Sequence, residues 1–185
     1  MERRTWDRTV SWVGMLIGVL LVGLGAIAIY GGMFGQQNVR DRLEPQNVTF
    51  PPLEAMTPEE KEEIGQFAGQ QVTDGTQAEA FSRYIGGHLR EINDGATYAE
   101  TSAAARAEAL DAEAAAALQE KADTLFKGET LRSILLNTYG WWTVSTIALR
   151  AGIMMVIVGI ALVILAVLGF RHAKKVGGGS VLATA

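Results

Sequence analysis

The sequence predicts an all-α protein in which two transmembrane helices flank an extracytoplasmic domain of three to four helices. Three observations predict it. Val10 to Tyr30 and Ala151 to Phe170 are apolar runs without a charge, each of about 20 residues and so long enough to cross a bilayer core of about 30 Å. The segment between them, Met33 to Gly140, carries nine Lys/Arg against eighteen Asp/Glu, a net charge of −9. Within that segment three helix-start signatures follow one another.

The first nine residues hold Arg3, Arg4 and Arg8 and read as a cytoplasmic tail by the positive-inside rule. Residues 10–32 read as the first span. Trp6 and Trp12 mark its inner interface and Tyr30 its outer one, where amphipathic rings sit at headgroup level. The apolar run is longer than a signal peptide's 7–15 residues, so an uncleaved anchor is expected. Gly14 and Gly18 make a small-xxx-small pair, and Gly25 continues the stripe seven residues on. Small residues let helix backbones approach closely where no hydrophobic effect drives association.

Residues 33–56 contain Pro45, Pro51 and Pro52 with few periodic apolar positions, and read as an extended linker. Residues 57–140 read as the external domain. Thr57-Pro58-Glu59-Glu60, Thr76-Gln77-Ala78-Glu79 and Thr97-Tyr98-Ala99-Glu100 are capping boxes, in which a Thr hydroxyl meets a free N–H and the Glu reaches back. Expected stops are Asp74-Gly75, Asp94-Gly95 and Gly128. The expected core of this domain is Ile64 and Phe67 on the first helix and Phe81, Tyr84, Ile85, His88, Leu89 and Ile92 on the second. Leu110, Leu118 and Leu125 belong to an alanine-rich third helix over Tyr98 to Phe126, whose seam also includes Ala103, Ala107, Ala114 and Ala117.

Residues 141–170 read as a membrane approach and second span, continuous with the last external helix. Trp141 and Trp142 lie at the outer headgroups or pack under the domain. Arg150 snorkels to the outer headgroups, and Arg171 with Lys174 and Lys175 marks the inner side. Ala148, Gly152, Gly159 and Ala166 form a small-residue stripe matching that of the first span, and the two stripes are expected to pack on each other or on a partner. Residues 171–185 then form a second cytoplasmic tail. The resulting topology has both termini cytoplasmic in the plasma membrane and the acidic domain outside.

Little in the chain carries chemistry. Without cysteine there is no disulfide and no thiolate metal site. His88 lacks the second and third ligands of a metal site and reads as a structural, half-buried histidine. Glu59-Glu60 and Glu62-Glu63 crowd a helix N-terminus, where they favour the dipole. No P-loop, HExxH or G-x-S-x-G is present. No catalytic residue, metal or cofactor is expected. The acidic domain excludes nucleic acid as a partner.

Two stretches, Ala80–Ser102 (AFSRYIGGHLREINDGATYAETS) and Thr124–Gly152 (TLFKGETLRSILLNTYGWWTVSTIALRAG), resemble a family of small two-span membrane proteins of actinobacteria of unknown function with a helical domain between the spans. The resemblance covers most of the chain after Gly65 and implies a high-GC Gram-positive host. Some members are labelled aromatic ring-opening dioxygenase, which implies a non-haem iron held by histidine and carboxylate. This chain offers only His88 between the spans, so that activity is not expected.

The expected function is that of a non-enzymatic integral membrane accessory or scaffold protein. Its partners would be the lipid bilayer and another membrane protein or further copies of itself. The alternative is an extracytoplasmic ligand-binding or sensor module acting through a partner, because the short tails carry no output domain.

Overall fold

The computed structural model of the protein describes residues 3–107 and 111–178. Five α-helices follow in order: α1 (Arg3–Leu43), α2 (Pro58–Ile64), α3 (Gly75–Ile92), α4 (Tyr98–Ala104) and α5 (Ala112–Gly178). Among the described residues there is no strand, and one isolated antiparallel bridge joins Thr49 to Gln71. The chain divides into two compact units, Met1–Phe34 with Val144–Ala185, and Gly35–Thr143. Two of the helices, α1 and α5, are long and apolar enough to cross a membrane, and each contributes residues to both units.

The linker expected at residues 33–56 is helical over its first half. α1 runs to Leu43 because Gly35 alone does not break it, and Arg40 and Arg42 in the last turn favour its C-terminal dipole. Pro45, which lacks an N–H to continue the ladder, falls in the short 3-10 turn Glu44–Gln46 that follows. Beyond it the chain is extended. Phe50 N–H donates to Gln70 O at 2.9 Å and Val72 N–H to Val48 O at 2.8 Å, so residues 48–50 pair with residues 70–72. This pairing drives Phe50 into the core beside Met56, Ile64, Val72, Ala78 and Ala80.

The first and third predicted caps form as read. Thr57 and Glu60 exchange bonds of 3.2 and 2.8 Å, and Thr97 and Glu100 bonds of 3.3 and 2.8 Å. The middle cap differs. α3 is capped by Asp74, whose Oδ1 accepts from Gln77 N–H at 2.8 Å, and not by Thr76. Two boxes overlap here, and the earlier wins because the Gln77 side chain also accepts from Thr73 and Asp74 N–H. Thr76 then falls inside the first turn, and Glu79 pairs instead with Arg83 at 3.1 Å. Consequently Asp74-Gly75 starts a helix and stops none. α2 ends at Ile64, followed by a 3-10 turn over Gly65–Phe67 and a left-handed Gly69. The predicted stop after α3 holds, with Asp94 and Gly95 both at positive φ.

The long third helix is two helices. α4 stops at Ala104, and α5 starts anew with Asp111 accepting from Ala114 N–H at 2.7 Å. Alanine's propensity suggested continuity, but α4 is placed by burying Thr101 and Ser102, while Ala103 and Ala107 are exposed. Leu110 lies outside the described residues. Gly128 does not stop a helix, since α5 passes through it and through Gly140.

α3 lies antiparallel along α5 with small residues between them. A Cβ on Gly128 would lie 2.5 Å from Leu89, one on Gly86 would lie 2.9 Å from the Arg132 guanidinium, and one on Gly75 would collide with Trp142 Cβ. Ala78 and Ser82 are buried on the same face, and Arg132 Nε donates to Ser82 O at 3.2 Å. The obstacle at Gly75 is the root of the indole side chain, which cannot swing aside. Gly75→Ala is therefore expected to destabilise this unit by about 1–3 kcal/mol, read as a lower urea midpoint at unchanged slope.

Candidate functional site

The most completely built feature of the first unit is the seam between α1 and α5. Buried positions recur every seven residues on both helices: Ser11, Gly18, Gly25 and Gly32 on one, Ser145, Gly152, Gly159, Ala166 and Ala173 on the other. A Cβ on Gly18 would lie 2.8 Å from Gly159 O, one on Gly25 2.7 Å from Gly152 O, and one on Gly32 2.7 Å from Ser145 O. The numbers run in opposite directions, so the pair is antiparallel. The helices meet backbone to backbone, and a seven-residue repeat keeps such a seam aligned along a left-handed crossing. Gly14 faces Ala166, with 3.8 Å between the built Cβ and the real one. Trp12 closes one end edge-on to Phe170, ring centroids 5.4 Å apart.

Val22, Ile29, Leu149, Val156 and Val163 pack over the facing glycines, but the other bulky side chains point away. Leu16, Leu20, Leu24, Ile27, Ile157 and Leu165 are all exposed. A water-soluble helix pair places such residues in the seam; here the order is inverted, as suits helices whose surroundings are themselves apolar. Of the residues expected in the seam, Gly14, Gly18, Gly25, Gly152, Gly159 and Ala166 are brought together. Ala148 is not: it is half-buried beside the seam, whose heptad position there is Ser145. Ser11, Gly32, Ser145 and Ala173 were missed, though counting sevens from Gly18 and Gly159 finds all four. Trp6, Trp12, Tyr30, Trp141, Arg150 and Arg171 are exposed, whereas Trp142 packs on Gly75.

In the second unit the chemistry-bearing residues gather between α2 and α3. A groove of about 390 Å³ is lined by Thr57, Glu60, Ile64, Arg83, Tyr84 and Arg90 among others. At its edge His88 Nδ1 lies 3.5 Å from Glu60 Oε1 and 3.3 Å from Tyr84 O. Glu60 thus caps α2 with one oxygen and approaches α3 with the other. Burial, and secondarily the Glu60 charge, raises the Tyr84 phenol above its ordinary value. A raised folded-state pKa contributes stability that is present below the unfolded tyrosine value and lost as pH rises through the folded one. Tyr84→Phe should therefore flatten the alkaline loss of stability, measured by urea unfolding above about pH 10. At Glu100 the Thr97 backbone N–H, then its hydroxyl, lower the carboxyl.

The expected core residues divide. Ile64, Leu89 and Leu125 are buried. Phe67, Phe81 and Tyr84 pack against the core around Phe50, and Ile85 and Leu118 are half-buried. His88 and Ile92 are exposed, because α3 turns its Gly75–Ala78–Ser82–Gly86–Leu89 face inward and carries those two onto its flank. Phe50 and Met56 were missed, since an isolated apolar residue in an extended segment has no period to reveal it.

A second groove, of about 400 Å³, lies between the end of α3, the start of α4 and α5, over Leu89, Tyr98 and Leu125 with Arg90 and Arg132 at its rim. Arg132 is held there by Glu129 at 2.7 Å. The two-histidine, one-carboxylate iron site implied by the dioxygenase label does not fit these residues. Among the described residues no group of three or more His, Cys, Asp or Glu side chains could hold a metal ion. Comparison with protein-family models, curated proteins and solved structures finds no match for this chain.

Proposed function

We propose that the chain is an integral membrane protein of the plasma membrane, a non-enzymatic accessory or scaffold subunit with both termini cytoplasmic and its acidic helical unit outside. The observation that carries the membrane part is the inverted seam. Glycine and alanine fill the contact, and large aliphatic side chains cover the outside. The basic residues beside each apolar run support the orientation. A hairpin closed backbone to backbone suits a fixed scaffold better than a sliding signal relay. Its small faces are already occupied by each other, so a lateral partner meets the outward faces.

The topology is tested with single cysteines in this cysteine-free chain. On intact cells an impermeant maleimide is expected to label Glu59→Cys and to reach Lys174→Cys only after permeabilisation. The reverse pattern overturns the orientation, and release of the protein by alkaline carbonate overturns the integral reading. The accessory role is tested by purifying the tagged protein in nanodiscs from its own membranes. A stoichiometric membrane partner supports it. A clean monomer or homo-oligomer favours the second reading, a ligand-binding module, whose best structural basis is the groove beside Tyr84 and Glu60.

A further inference from the structure

We draw no further inference here: the strongest candidate, the apolar groove between the end of α3, the start of α4 and α5, has its rim guanidinium Arg132 already paired with the carboxylate of Glu129, and nothing in the structure shows what covers it.

Discussion

Gly25→Leu is expected to open the hairpin of the first unit. The first atoms its side chain meets are Gly152 O at 2.7 Å, Val156 Cγ2 at 2.8 Å and Val156 N at 3.0 Å. Two of these are backbone, so the neighbour cannot yield by a rotamer change, and α1 and α5 must separate or shift register. Overpacking costs about 1–3 kcal/mol where side chains can adjust, and this site belongs at the top of that range or above it. Gly23 is the matched control. Nothing lies within 4 Å of its built Cβ, so Gly23→Leu should leave the hairpin intact while adding the same apolar bulk. Thermal unfolding in nanodiscs should separate the two variants, with only Gly25→Leu lowering the midpoint. Equal effects would mean that the seam does not hold the helices together.

The second unit has its own weak point at Phe50, which is 2% exposed. Its ring stacks on Phe67 at 5.3 Å and meets Phe81 edge-on at 5.2 Å. Removing it leaves a cavity bounded by two rings and by the backbone pairing of residues 48–50 with 70–72, which cannot easily collapse. Phe50→Ala should therefore cost about 3–5 kcal/mol, a large share of the stability of a unit this size. Urea unfolding of the full chain, followed by amide exchange in α2 and α3, measures it. A loss below about 1 kcal/mol would show that the extended segment lies on the core without helping to form it.

What the sequence revealed depended on the range of the interaction. Caps are local, so Thr57–Glu60 and Thr97–Glu100 were legible from three-residue spacing alone. The Asp74–Gln77 cap was misplaced because two local signals overlapped, and the Gln77 side chain decides between them by also accepting from Thr73 and Asp74 N–H. The glycine seam was legible because it repeats, and a repeat of seven survives the loss of all other context. Phe50 and the break between Ala104 and Asp111 were not legible. The first depends on a backbone pairing about twenty residues distant, and the second on burying Thr101 and Ser102 against the intrinsic preference of an alanine-rich run. His88 sat on the apolar stripe of α3 in the sequence, but small residues, not large ones, form the face of that helix that packs on α5.

The two apolar helices close on each other, antiparallel, through their small faces. The chain has no native cysteine, so an introduced pair reports without background. Gly14→Cys with Ala166→Cys places two Cβ atoms at the 3.8 Å seen here, inside the roughly 3.5–4.5 Å span of a disulfide. Oxidation in native membranes is expected to give a nearly complete intramolecular disulfide, and Gly23→Cys with Ala166→Cys to give none. A Gly14–Ala166 pair that stays reduced, or that links only between molecules, would contradict the seam.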